Sequence, residues 1–222
     1  MINPITSTTW IASDHHFGHA KIADFEPSRN IWKDLGFKSL DDMIIANHNE
    51  VVKPDDTVLF LGDFSWIDPQ HYIHKLNGKK YLILGNHDRK GDIPYKGFEK
   101  VFRGQFIGIN NELFYKESLD TLLSSLIMSY DKFLVVFSHY ALYVDDIYDH
   151  QGSGLIQMRK EKIQALLEGV NKNTPEREII NIHGHLHSHL APPCKEVTHV
   201  NACLERTRFY PVKLKDLLHG IT

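Results

Sequence analysis

Apolar residues in this chain come in short, nearly continuous runs, and each run breaks off at a polar cluster. Thr9–Ala12 leads into Ser13-Asp14-His15-His16, and Thr57–Leu61 into Gly62-Asp63. Tyr81–Leu84 leads into Gly85-Asn86-His87-Asp88, and Phe133–Phe137 into Ser138-His139. Ile179–Ile182 leads into His183-Gly184-His185-Leu186-His187. Short β-prone runs without polar alternation predict strands of a sheet covered on both faces. Between them, apolar positions recur at helical spacing. Leu40–Val52 predicts a helix with Ser39 as its N-cap. Pro69–Leu76 predicts a short helix capped by Asp68 and closed at Asn77-Gly78. Leu155–Val170 predicts a third. Alternating strands and helices place the chain in the α/β class.

The remaining stretches are less patterned. Phe98–Tyr115 reads as two or three short strands with a turn at Asn110-Asn111. Leu119–Tyr130 fits helix or strand. Tyr140–Gly154 reads as a loop or small cap. Its Tyr140, Tyr143 and Tyr148 are expected to pack as that cap, with a wall for an organic substrate group as the alternative. Val197–Ala202 and Val212–Leu214 close the series of strands. No repeat, low-complexity tract or linker divides the chain, so one domain over residues 1–222 is expected.

Composition changes this picture little at first. The 222 residues are 42% hydrophobic and 24% charged, ordinary for a water-soluble globular protein. A formal charge of −3 offers no overall basic field for nucleic acid or membranes. The two cysteines, Cys194 and Cys203, make neither a disulfide framework nor a cysteine-rich zinc site. The N-terminal residues lack a signal-peptide pattern, and no stretch is apolar enough to span a bilayer. A cytoplasmic protein is expected.

The 15 histidines do change it. In open α/β sheets, ligands sit beyond the carboxyl ends of strands. The five polar clusters therefore converge on one sheet edge and bring together Asp14, His16, Asp63, Asn86, His139, His185 and His187. Carboxylate, imidazole and amide donors suit Mn²⁺, Fe or Zn²⁺ better than Ca²⁺. These donors exceed the about four to six that one ion takes. Two ions about 3.5–4 Å apart, sharing one carboxylate, fit better, and such pairs clamp phosphates.

The blocks Asp14-His15-His16, Gly62-Asp63, Gly85-Asn86-His87-Asp88, His139 and Gly184-His185-Leu186-His187, in that order, resemble the calcineurin-like metallophosphoesterase superfamily. Ser13–His19, Leu61–Phe64, Leu76–Gly78 and the closing Tyr210-Pro211-Val212 are similar to a compact bacterial and phage group within it. The resemblance implies a four-layer α-β-β-α sandwich of two mixed sheets flanked by helices. It also implies hydrolysis of a phosphomonoester or phosphodiester by a hydroxide bridging two divalent ions, Mn²⁺ foremost and Fe or Zn²⁺ as alternatives. By position, Asp14, His16 and His187 would hold one ion, Asn86, His139 and His185 the other, and Asp63 both. His87 would serve the leaving group without binding metal. Tyr140-Ala141 departs from the group, which commonly has proline there; the change touches a loop and no ligand.

The expected substrate is a small-molecule or nucleotide phosphate ester. A nuclease acting on nucleic acid ends is the runner-up and would need a basic groove. A non-catalytic protein-interaction scaffold would show a degraded site, and this one is complete. His19 and Asp88 are candidates for the substrate phosphate or for support behind the ligands, Asp88 alternatively for a turn cap. His15 is expected in a structural or solvent-facing place, and His183 in packing or behind the ligands. His48, His71, His74, His189 and His219 are expected on the surface. Arg29, Lys90, Arg103 and Arg159 are basic residues that could contact substrate phosphate, with solvated surface charge as the ordinary reading of each.

Overall fold

The apolar runs fold into strands that bury both faces, and alternation along each strand decides which layer receives which side chain. The computed structural model describes residues 3–88, 95–109, 112–116, 123–148, 154–173 and 177–219. Lys90, the Asn110-Asn111 turn, the start of the 119–130 segment and residues 149–153 of the expected cap lie outside them.

One sheet has the order β11 (Val212–Lys213), β1 (Trp10–Ala12), β2 (Thr57–Phe60), β3 (Lys79–Ile83) and β4 (Lys100–Phe102). β1 to β4 run parallel, and β11 pairs antiparallel with β1. The second sheet has the order β10 (Thr198–Asn201), β9 (Glu178–His183), β8 (Phe133–Ser138), β7 (Ser124–Tyr130), β5 (Gly104–Ile109) and β6 (Glu112–Lys116). It is mixed: β8, β9 and β10 are parallel, while β7 is antiparallel to β8.

The sheets stack face to face. Ile11, Leu59, Leu61, Ile83 and Phe102 meet Leu126, Val135, Phe137, Ile180 and Ile182 in the central layer. Their alternates point outward. Val58, Phe60 and Leu82 pack with Met43 and Ile44 of α3 (Leu40–Val51). Ile127, Leu134 and Val136 pack with Ile163 and Leu167 of α5 (Leu155–Asn171). The result is the α-β-β-α sandwich; its inner strands lack a polar face because both of their faces are covered, whereas the edge strands β6 and β10 keep exposed residues such as Phe114 and Thr198.

Helix ends follow the expected chemistry in part. The Ser39 hydroxyl accepts from Asp42 N at 3.1 Å. α4 is shorter than predicted, Gln70–Ile73. Asp68 does accept from Gln70 N (3.0 Å), but the Asn77 amide is taken by Asn49 Oδ1 (2.8 Å) and the chain leaves as turns. α1 (Ile22–Phe25), a 3-10 turn over Pro27–Asn30 and α2 (Ile31–Asp34) were not foreseen. None has a capping side chain or the length to show a period. The last predicted strand stops at Lys213, and Leu214 opens α6 (Leu214–His219). The segment that fitted helix or strand is strand β7.

One histidine corrects the reading. His48 was expected on the surface and is fully buried. Met43, Ile44, Asn47 and His48 form the buried stripe of α3, and the His48 ring stacks on Phe60. His71, His74, His189 and His219 are exposed as expected.

Candidate functional site

Strand register positions the site. Ala12 lies opposite Phe60, and Phe60 opposite Leu82, so the loops after β1, β2 and β3 leave the sheet side by side. Ser138 lies opposite His183, which sets His139 beside Gly184. A bridge between Ser13 and Cys203 links the ends of the two sheets. Backbone bonds then tie loop to loop: Asp14 N donates to Gly62 O (3.1 Å), His16 N to Asp63 O (3.0 Å) and Gly184 N to His139 O (3.0 Å).

These loops turn sharply. Asp14, His16, Asp63, His185 and His187 all have positive φ, between 49° and 67°. Each such non-glycine residue costs about 1–2 kcal/mol. The chain thus keeps functional side chains where the backbone alone would favour glycine, as strained functional sites do. The neighbouring glycines answer a different need. A Cβ on Gly85 would overlap the Asp63 carboxylate, and one on Gly184 would overlap Ser13 Oγ and Asp14 Oδ2.

Two triads gather donor atoms within 4.8 Å of one another: Asp14, His16 and His187, and Asp14, Asp63 and His139. Asp63 Oδ2 lies 3.6 Å from His16 Nε2 and 3.5 Å from His139 Nε2. Asp14 Oδ1 lies 3.8 Å from His16 Nε2 and 3.9 Å from His187 Nε2. Asn86 Oδ1 lies 2.9 Å from His139 Nε2. His185 sends its backbone N–H to Asp14 Oδ2 (2.9 Å) and turns Nε2 to Asp146 Oδ2 (3.0 Å). It belongs to neither triad.

The electrostatics call for positive charge. Burial raises the Asp14 pKa, but His139, His187 and His16 outweigh it and hold Asp14 well below the usual carboxylate range. Asp63 is held down in the same way, chiefly by His139. Burial opposes charge on His139, yet Asp63 and Asp14 prevail and push it up to about 10. Asp14 Oδ1 and His16 Nε2 are buried and have no hydrogen-bond partner. Buried carboxylates facing orphaned imidazole nitrogens fit a divalent cation, whose binding would displace imidazole protons.

The residues behind the donors fix their aim. Asp88 reaches across two loops, accepting from Asp63 N (2.9 Å), Phe64 N (3.1 Å) and Gly85 N (2.8 Å). Its bond to Gly85 N closes its own turn, and its bonds to Asp63 N and Phe64 N hold the backbone of the neighbouring loop. Burial, then the Asp63 charge, raise the Asp88 pKa to about 6. His187 Nδ1 donates to Glu205 Oε1 (3.0 Å), leaving Nε2 for the site. Glu205 is held by buried Arg29, whose Nε donates to Oε1 at 2.6 Å. Arg29 also donates to the carbonyls of His15 (3.0 Å) and Asp14 (2.5 Å). Arg29 is therefore structural, and Glu205 and Asp146 are site residues the motifs did not reveal. A carboxylate in a loop carries no periodic signal, and only the fold brings these two to the imidazoles.

A cavity of about 530 Å³ opens over the donors. His87 stands at its mouth, 44% exposed, with Nε2 4.0 Å from Asp63 Oδ2 and its backbone N–H donating to Asp63 Oδ1 (2.9 Å). Burial, countered by Asp63, lowers its pKa. His19 lines the wall against Trp66, ring centroids 4.2 Å apart. Of the three tyrosines, Tyr140 is buried against His139 and His185, whereas Tyr148 reaches the cavity. His15 is buried among Phe17, Phe60 and Phe64. His183 is buried with Nδ1 at Gly184 O (2.8 Å). Arg159 is buried beside the Tyr140 hydroxyl, and Arg103 lies over the Tyr95 ring.

The chain resembles known proteins along most of its length. A solved structure, a protein of unknown function from Aquifex aeolicus, has the same fold. It shares 22% identity at a TM-score of 0.62 and covers 96% of this chain and 98% of that one. An uncharacterized protein of Methanocaldococcus jannaschii is 25% identical over 182 residues, 77% of this chain and 88% of its own length. The Gene 66 protein of Mycobacterium phage L5 is 39% identical over 88 residues, 37% of this chain. That match spans 40% of the phage protein's length. No helix among the described residues is long and apolar enough to cross a membrane. A family model matches residues 7–214, from the turn before β1 to the start of α6, and by it the chain belongs to the calcineurin-like phosphoesterase family.

Proposed function

We propose that the protein is a two-metal-ion phosphoesterase acting on a small-molecule or nucleotide phosphate ester. The observation that carries this reading is the place of Asp63 Oδ2, about equally far from His16 Nε2 (3.6 Å) and His139 Nε2 (3.5 Å). A carboxylate between two imidazole-bearing sets is what a bridging ligand requires. Asp14, His16 and His187 would hold one ion, Asn86, His139 and His185 the other, and Asp63 both. Divalent ions there, Mn²⁺ foremost and Fe or Zn²⁺ as alternatives, would supply Lewis-acid charge and activate water at neutral pH.

The chain's own part is orientation and proton handling. Glu205 keeps the His187 Nδ1 proton, so Nε2 faces the site. Asp146 engages His185 Nε2, which leaves Nδ1 as that residue's donor. His87, half exposed at the mouth, would donate a hydrogen bond or proton to the departing ester oxygen. Its lowered pKa makes it a readier acid once protonated. Among the described residues no lysine or arginine lines the cavity, so a nuclease is not favoured. The complete donor set argues against a scaffold role.

The test is direct. Protein loaded with Mn²⁺, Fe²⁺ or Zn²⁺ is expected to hydrolyse 4-nitrophenyl phosphate or bis(4-nitrophenyl) phosphate, and a chelator to abolish turnover. Fully metallated protein that turns over neither ester class would overturn the reading in favour of a scaffold.

A further inference from the structure

The cavity has two unlike parts. Its floor is the donor set, and its rim is apolar and aromatic. Trp66 is 46% exposed and Phe25 70%, and exposed apolar side chains grouped beside a cavity mark a ligand-binding surface. They are not scattered. Trp66 lies against His19 (4.2 Å), His87 (5.0 Å) and His16 (6.5 Å), and Phe25 lies 6.2 Å from His19. Tyr148, 40% exposed, faces them across the floor, against His185 (5.4 Å) and His187 (6.3 Å).

The charge of the wall is equally specific. Among the described residues its only other ionisable groups besides histidines and Tyr148 are the carboxylates of Asp63, on the floor, and buried Glu26. Among the described residues no lysine or arginine lines it. A monoester presents three free oxygens, and beyond the two that the floor would take, the third meets no lysine or arginine of the described wall. A diester presents a monoanion and a second organic group.

We infer that the substrate is a phosphodiester carrying a planar aromatic ring, which lies on the Trp66–Phe25 side of the rim while the phosphate sits on the floor. This rests on the phosphoesterase reading. Ring stacking is worth about 1–3 kcal/mol by alanine substitution, or roughly five- to 150-fold in affinity. The ring could belong to a nucleobase or to an aryl group, since both offer a π-face.

Unreactive anions test this by calorimetry on metal-loaded protein. Methyl(phenyl)phosphinate carries an aryl ring, 5′-deoxythymidine bearing a methylphosphinate on C5′ through a P–C bond a nucleobase, dimethylphosphinate no ring, and methylphosphonate, above its second pKa, the dianion. Either or both ring-bearing monoanions are expected to bind at least about fivefold tighter than dimethylphosphinate. The one with the larger advantage identifies the source of the ring. Trp66→Ala is expected to remove that advantage without changing metal content or dimethylphosphinate affinity. Trp66→Phe is expected to restore part of it, and Phe25→Ala to give a smaller loss should the Trp66 variant fold poorly. Equal affinities with and without a ring, in a protein that still turns over esters, would overturn this inference and leave the phosphoesterase reading standing. Methylphosphonate bound as tightly as the ring-bearing monoanions would overturn the diester assignment. Absence of both ester turnover and anion binding would overturn the phosphoesterase reading with it.

Discussion

The floor and the rim of the cavity are built on opposite terms. On the floor, Asp14, Asp63, His139 and His185 are buried, and each is held by backbone or side-chain bonds from a second loop. On the rim, Trp66, Phe25 and Tyr148 stand partly in solvent; Trp66 and Tyr148 meet the donors through ring contacts with His16, His185 and His187, and one backbone bond ties Tyr148 N to Asp146 Oδ1 (2.9 Å). A group that must present donors at fixed spacing is over-determined. A group that must receive a variable organic substituent is not. Chemistry and specificity thus separate by depth within one cavity.

The strongest way to break this comparison is at the centre of the floor. Asp63→Asn should lower metal content at both positions and reduce turnover of bis(4-nitrophenyl) phosphate to background, read by elemental analysis beside kinetics. Two ions retained at full occupancy would contradict a bridging Asp63. His87, where floor meets rim, should separate binding from chemistry. His87→Asn is expected to leave metal content intact while kcat falls by roughly 10²–10⁴. Metal loss in that variant would make His87 a ligand.

Glu205 tests whether support behind the floor matters as much as the donors. Glu205→Gln keeps the shape but weakens the acceptor for the His187 Nδ1 proton. Metal affinity, measured by competition with a chromogenic chelator, should drop about 10- to 100-fold. Unchanged affinity would mean that Glu205 only stabilises Arg29.

The smallest effect asks whether burial or the neighbouring carboxylates govern an imidazole. Beside Asp63 and Asp14, His139 is pushed up to about 10. Away from carboxylates, His48 is driven down to about 4 by burial, against an ordinary value of 6.5. Above pH 6.5 His48 is neutral in both folded and unfolded chains. As pH falls from 6.5 towards 4, the unfolded chain takes up a proton that the folded chain refuses, so stability is lost. Between pH 7 and 5 this amounts to about 2 kcal/mol. In urea denaturation, His48→Gln should lose correspondingly less over that interval, and an equal loss would assign the pH dependence to other groups.

Legibility followed the same division. Every floor residue except Glu205 and Asp146 stands in a short block after an apolar run, because a parallel strand delivers the next residues to one sheet edge. Glu205 and Asp146 lie in loops without pattern, and a carboxylate there reads as surface. The rim is half legible: the tyrosines after His139 stand out in the sequence, but Trp66 and Phe25 do not. Trp66 follows a motif without belonging to it, and Phe25 ends a four-residue helix too short to show a period. His48 reads as a surface residue by type, whereas its position in one helical stripe with Met43, Ile44 and Asn47 buries it.

The sequence by itself determined the class of fold, the strands and the donors, since these depend on local periodicity and on residues that must follow a strand directly. Only the tertiary structure decided which donors meet, which carboxylates aim them and what rings overlook them. Those relations join residues as far apart as Asp14 and His185, or Arg29 and Glu205. The contacts form when two sheets stack and their edges align, and no local pattern in the chain encodes that alignment.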